Sequence, residues 1–257
     1  MLLETVNYSS MPDVLTEFLP AFIPWFVCAV AVVCGTVIQK LSGAGFGMIA
    51  APTMTIMAPE WVPGTILLLG FLIGVGSLLG ARDAVVRSDL PPGLVGRLVG
   101  AILAALIASA VVGTDLLPVI VAVIVLFAVA LSVAGLSVAI TPATLFGAGL
   151  TGGVMGTLTG IGAPPMAILY STVEARRSAA TQNAFFGFGM ALSIGALAVA
   201  GLIRAPQLAF AASLAPFVPL TLIAARPLSA RFERGAIRPW ALGLATLSAG
   251  ILLAQAL

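Results

Sequence analysis

Two glycine-rich stretches hold the residues of this chain best suited to chemistry, Leu41-Ser-Gly-Ala-Gly-Phe-Gly47 and Leu158-Thr-Gly-Ile-Gly-Ala-Pro-Pro165. Each lies between an apolar run and a short apolar segment. Glycine admits the positive φ of a sharp reversal and lets backbone approach a ligand closely. Pro164 and Pro165 suit the first turn of a helix, where an amide hydrogen would lack a partner anyway. A helix starting there offers free N–H groups and the positive end of its dipole, an anion-binding arrangement. The candidate substrate-binding residues are therefore Ser42, Gly43, Ala44 and Gly45 in the first turn, and Thr159, Gly160, Ile161 and Gly162 in the second. Lys40, the only lysine, adjoins the first turn beside Gln39. At membrane depth Lys40 is an anion ligand; at a helix end it is a snorkelling charge. Gln182 and Asn183 are adjacent amides in an apolar run and need partners, either a substrate or a neighbouring helix. The pairs Gly70/Gly74, Gly96/Gly100 and Gly152/Gly156 instead fit the small-xxx-small spacing of packed membrane helices.

Other chemistries are poorly supplied. The chain has no histidine, which removes His-based metal sites and proton relays. Cys28 and Cys34, six apart in one apolar segment, face different sides of a helix and read as packing residues rather than a disulfide or metal pair. No Asp/Glu pair at helical spacing falls inside an apolar run, so an intramembrane enzyme would lack its nucleophile, base or metal set. Neither a cofactor nor a nucleic-acid partner is expected.

The elements that must position the turns follow from composition. Of 257 residues, 61% are hydrophobic and 8% charged, with mean hydropathy +1.20, against about 25% charged in ordinary soluble domains. At about 20 residues per span there is room for eight to ten membrane helices. Residues 1–17 form a short tail with Glu4, Asp13 and Glu17 and no basic residue, which argues against the basic start of a signal peptide. Turn residues and charges then divide the chain into ten segments, at 18–39, 44–58, 62–81, 93–112, 116–138, 141–158, 163–173, 178–200, 207–225 and 237–256. The second and seventh are short, and each follows a glycine turn.

The segments repeat. An ungapped offset of 117 positions aligns Gly35 with Gly152, Leu41 with Leu158, Gly43 with Gly160, Gly45 with Gly162, Gly70-Phe71 with Gly187-Phe188, and Arg87 with Arg204. The chain thus reads as an all-α polytopic membrane protein of two five-segment repeats, 18–138 and 139–257. An odd number of crossings per repeat inverts one copy relative to the other, a layout common in secondary transporters. With the acidic N-terminus outside, nine of the ten arginines (all but Arg204) fall inside, as the positive-inside rule asks; both termini are then outside. If only segments two and seven fail to cross, Arg82, Arg87 and Arg97 change sides and the bias largely vanishes. If segments one-two and six-seven are hairpins turning within the membrane, the arginine placement is unchanged. The cluster Arg82, Asp83, Arg87 and Asp89 reads as a solvated loop, as does Glu174 with Arg176 and Arg177.

At the glycine turns the sequence resembles the sulfite exporter TauE/SafE family, also called the toluene sulfonate uptake permease family. The family pattern is a glycine-rich stretch followed four or five residues later by proline, once per half. Here it reads Gly43-Ala-Gly45-Phe-Gly47 with Pro52, then Gly160-Ile-Gly162-Ala-Pro164. Both copies depart from a full glycine triplet, at Phe46 and Ala163. The resemblance implies secondary transport of small, often sulfur-containing anions across the cell (inner) membrane: sulfite, sulfonates, sulfoacetate. The residues themselves supply only the anion. Alternating access is the leading mechanism, with an anion channel on the same duplicated scaffold as the alternative. A proton or sodium ion is a candidate coupling partner, although no acidic residue lies within a span to carry it.

Overall fold

The computed structural model describes residues 18–225 except 112, 113 and 115, with isolated positions 243, 246, 250 and 254. The tail 1–17, the tenth segment and Arg226, Arg231, Arg234 and Arg238 lie outside the described residues. Regular structure among the described residues is entirely helical. The helices are α1 (Phe22–Ser42), α2 (Phe46–Met57), α3 (Gly64–Leu79), α4 (Leu90–Val111) and α5 (Leu116–Val133). After them come α6 (Pro142–Thr159), α7 (Pro164–Leu169), α8 (Ala175–Val199), α9 (Ala205–Leu214) and α10 (Phe217–Ala224).

Local chemistry sets these boundaries. Helix α1 ends at Gly43, whose φ of 78° is left-handed and whose N–H bonds the Gln39 carbonyl. Helix α6 ends at Gly160, also at φ 78°, with its N–H on the Gly156 carbonyl. Both are glycine caps that satisfy an otherwise orphaned carbonyl, and they stand 117 positions apart like the sequences around them. Helix α6 opens on a capping box of Thr141 and Thr144 with Pro142 in its first turn. The Glu174 carboxylate accepts from the amides of Arg176 (2.7 Å) and Arg177 (3.0 Å), so α8 starts three residues before the expected 178. Helix α4 likewise begins at Leu90 rather than 93, because Pro91 and Pro92 fit its first turn. The ninth segment is broken at Ala215-Pro216 into α9 and α10; Pro219 follows within α10.

Four stretches are long and apolar enough to cross a membrane, at Phe22–Ser42, Arg87–Val111, Ala175–Val199 and Ala205–Ala224. Large apolar side chains also stand exposed along them, among them Ile23 and Phe26 on α1, Ile102 and Leu106 on α4, and Leu220 on α10. An apolar exterior over several spans makes this a multi-pass membrane protein. Inside, Cys28, Val32, Phe46, Met54, Ile66, Ile73, Met190 and Phe210 belong to one buried cluster joining both halves of the chain. Cys28 is buried and Cys34 exposed, and the two are not bonded.

Helix α4 packs along α6, and α3 along α8. Glycine makes the first contact close: a Cβ added at Gly96 would meet the Phe146 carbonyl, and one at Gly100 the Leu150 carbonyl. Near the end of α3, the charged loop expected to be solvated holds an ion pair of Arg176 with Asp83 at 2.6 Å, both side chains 64% exposed. At that exposure the pair contributes at most about 1 kcal/mol, so Asp83→Asn is expected to shift the melting temperature of the purified protein hardly at all. The same loop is held more firmly by Tyr170, whose hydroxyl donates to Asp89 at 2.6 Å. Beside the start of α3, Gln207 reaches the Val62 carbonyl through its Nε2, and Thr65 donates to the Gln207 carbonyl at 3.2 Å.

Candidate anion-binding site

The two glycine turns meet. A Cβ added at Gly47 would collide with the Gly160 carbonyl and come within 3.1 Å of the Ile161 Cα. Each turn also leans on a helix from the other half. Gly43 lies against Ala179 and Gln182 of α8, and Gly160 against Ile66 of α3. Counting 117 back from Asn183, the neighbour of Gln182, gives Ile66, so the two contacts are close to reciprocal.

Polar groups at the first turn are largely occupied by the turn itself. Ser42 donates to the Ile38 carbonyl at 2.8 Å, contacts the Ala44 carbonyl and accepts from the Ala44 amide. Gln39 is the hub: its Nε2 donates to the Gly43 carbonyl (2.8 Å) and to Asn183 Oδ1 (3.1 Å), and its Oε1 accepts the Phe46 amide (3.2 Å). Asn183 is therefore bonded between helices, and the first amide of α2 is spoken for. Losing the Gln39 amide would strand the Phe46 N–H, the Gly43 carbonyl and Asn183, at about 1–3 kcal/mol for each buried group left unmatched. Gln39→Leu is accordingly expected to lower thermal stability by several degrees in a detergent melt. Lys40 lies half-buried in the last turn of α1. In the second turn, Thr159 donates to the Met155 carbonyl (2.8 Å) and accepts the Ile161 amide (3.2 Å). Pro164 and Pro165 occupy the first turn of α7 as expected, but each removes an N–H that an anion would need.

The group that remains available was not among the sequence candidates. Arg97, counted above among the inside charges, is a side chain of α4 that is 5% exposed. The expected segment 93–112 already held it; the start of α4 at Leu90 sets it two turns inside the helix, where its guanidinium turns toward α6. Its Nη1 donates to the Gly152 carbonyl at 2.5 Å. Its Nε and Nη2 have no partner. Glycines crowd the guanidinium: a Cβ at Gly162 would strike Nη1, one at Gly156 would strike Nη2, and one at Gly189 would come within 2.5 Å of Nε. Gly156, read as a packing glycine, thus makes room for a cation. No carboxylate faces it among the described residues. A buried cation without a counter-charge is costly, and the fork of Nε and Nη2 is the edge that grips an oxyanion bidentately.

Arg97 shares a small cavity of about 10 Å³, room for about one water, with Gly149, Gly162, Met166, Gln182 and Phe185. Of the expected residues, then, the structure brings Gly162 to the cation and Gln182 to the cavity it lines; Gly43 touches Gln182, while Lys40, Ser42, Ala44, Gly45, Thr159, Gly160, Ile161 and Asn183 do not line the cavity. Gln182 donates through Nε2 to Ser178 Oγ at 2.9 Å, and its Oε1 has no partner. The signal that could have found Arg97 is an arginine between Gly93, Gly96 and Gly100 at the head of an apolar run, an intramembrane charge that is functional by default. The offset of 117 from Arg97 leads to Leu214, fully buried in α9, so the cation belongs to one half alone.

No curated protein and no solved structure matches the chain. A family model does, over residues 27–252, which include both glycine turns, Arg97 and Gln182. With a multi-span apolar fold built around an unmatched buried cation, and that match across most of its length, the chain belongs to the sulfite exporter TauE/SafE family of membrane transporters.

Proposed function

We propose that the protein is a secondary carrier of a small anion, a sulfur oxyanion or organosulfonate, working by alternating access in the cell membrane. The observation that carries this reading is the Nε–Nη2 fork of Arg97, buried, unpartnered and without a carboxylate. The fork supplies the anion preference, and the family supplies the sulfur. The cavity beside it, about 10 Å³, is far smaller than a sulfur oxyanion, so the helices around Arg97 must part to load it. That suits a carrier with an occluded intermediate better than a standing channel.

The repeat belongs to the same reading. Two five-segment halves in inverted orientation, eight to ten crossings and both termini outside agree with the matched caps at Gly43 and Gly160 and the near-reciprocal contacts of the turns. Arg97 drops out of the inside charge count, and the remaining arginines keep their bias. The turn residues from Lys40 to Gly45 and from Thr159 to Gly162 then form the frame that brings the halves together, with Gln182 and Gly162 beside the anion.

Counterflow tests the carrier. Proteoliposomes loaded with unlabelled sulfite should accumulate labelled sulfite transiently above the external level. A channel would only equilibrate it, and that result would replace carrier by channel while leaving the anion site in place.

A further inference from the structure

We infer that the site takes a singly charged oxyanion that carries one donor hydrogen, and rejects the fully ionised dianion. This inference rests on the anion-carrier reading and adds the protonation state of its substrate.

Three observations lead to it. First, among the described residues Arg97 is the only charged one lining the cavity, whose other walls are glycine, alanine, Met166, Phe185, Phe186 and the amide of Gln182. One guanidinium neutralises one negative charge. A second would be buried among apolar side chains without a counter-ion, which is strongly unfavourable. Second, Arg97 has two unpartnered donors, Nε and Nη2, which lie against Gly189 and Gly156; once the helices part, they are enough for two oxygens of one oxyanion. Third, the site contains an unpartnered acceptor, Gln182 Oε1, on a side chain that is 5% exposed. Its orientation is fixed by its neighbours. Ser178 Oγ donates its one hydrogen to the Tyr170 carbonyl (3.2 Å), so toward Gln182 it acts as acceptor, taking Nε2–H at 2.9 Å. The carbonyl oxygen of Gln182 is the end left over. A buried acceptor without a donor costs as a lost hydrogen bond does, and a substrate O–H answers it.

Two free donors, one free acceptor and a single positive charge describe the hydrogen-bonding complement of bisulfite. They do not describe sulfite dianion or sulfate, which bring two charges and no hydrogen. The complement also discriminates against a methanesulfonate ion, which matches the charge but not the acceptor. Sites that bury a polar group reject the analogue lacking its partner far more strongly than apolar pockets reject a size change.

None of the residues lining the cavity from α4, the second turn, α7 or α8 is Asp, Glu, His, Lys, Tyr or Cys. Behind the lining, Tyr170 packs against Phe185 and is bonded to Asp89, and Lys40 lies in the last turn of α1, whose cap Gly43 touches Gln182. A pH dependence of binding near neutrality therefore reports the ligand.

The experiment is binding by the purified full-length protein, read as thermal stabilisation, with sulfite, methanesulfonate and sulfate each titrated at several values from pH 6 to pH 9. The expected result is that the apparent Kd for total sulfite is flat at acid pH and rises about tenfold per pH unit once bisulfite loses its proton. Methanesulfonate should bind more weakly at pH 6 with no pH dependence, and sulfate should not bind. Gln182→Leu should erase the preference for bisulfite over methanesulfonate. A sulfite Kd that is independent of pH or improves at alkaline pH overturns the inference while leaving an anion site. So does a parallel loss of methanesulfonate binding, which would point to a titrating protein group, or an unchanged preference in Gln182→Leu. If no anion stabilises the folded protein at any pH, the anion-carrier reading itself fails.

Discussion

Replacing Arg97 with methionine is expected to abolish anion transport while leaving the melting temperature unchanged or higher. The guanidinium lies buried with one hydrogen bond, to the Gly152 carbonyl, and two unpartnered nitrogens. Even a buried ion pair can be exchanged for well-packed apolar residues at no loss of stability; a buried cation with no partner has more to gain. Against that stands one stranded carbonyl, worth about 1–3 kcal/mol. The anion loses far more. Removing one partner of a buried, hydrogen-bonded charge pair costs about 2–5 kcal/mol, roughly 30- to 4,000-fold in affinity. Arg97→Lys keeps the charge but not the planar fork, and an intermediate loss is expected. The measurement is the initial rate of labelled sulfite uptake into proteoliposomes, beside a melt of the same preparation. Wild-type uptake by Arg97→Met would remove the guanidinium from the mechanism.

The other large effect is on folding. Gly149→Val should prevent recovery of folded protein, whereas Gly147→Val, on the same helix two residues earlier, should be nearly silent. A Cβ at Gly149 would collide with the Gly93 carbonyl and lie 3.0 Å from the Arg97 amide, whereas one at Gly147 meets nothing within 4 Å. Overpacking usually costs about 1–3 kcal/mol when side chains can move aside. Here the neighbours are backbone of α4, which cannot. Comparing the two variants by size-exclusion profile and melt, in one detergent, separates the contact from the general effect of valine in a membrane helix. Equal behaviour would mean that α4 and α6 do not touch at Gly149.

Much of this architecture could be read before any coordinates. Apolar runs interrupted by charge and proline have few ways to fold in lipid, because backbone groups must be satisfied within each segment. Nine of the ten expected segments accordingly coincide with described helices to within a few residues, the seventh more briefly and the ninth broken by Pro216; the tenth lies outside the described residues. The turns were legible for the same kind of reason, since a left-handed cap selects glycine and the glycine pattern recurs 117 positions later. Arg97 was not. Charge counting assigns an arginine near a segment start to the adjoining membrane face, although segment 93–112 already held Arg97, and it carries no information on which way the side chain turns. That Gly152, Gly156, Gly162 and Gly189 converge on its side chain is a tertiary fact. The first and last of them are 37 positions apart on different helices, and no local pattern joins them. Gln182 and Asn183 illustrate the same limit. Adjacent in sequence, they differ by about 100° around α8, and only contacts decide that Asn183 is bonded to Gln39 while Gln182 lines the cavity.

An offset of 117 carries the cation at position 97 to a leucine, Leu214. In a carrier of two identical halves, exchanging their roles would interconvert inward- and outward-facing forms of equal energy, and empty carriers would divide evenly between them. A charge present in one half breaks that equality. On the alternating-access proposal, one facing would expose it to water more than the other, so the unloaded protein would have a resting orientation and the work of turning it over would differ with direction. Such a protein would run faster one way than the other under equal and opposite gradients. Rectification would then be a property of the amino-acid sequence, set by which copy of the duplication kept its arginine.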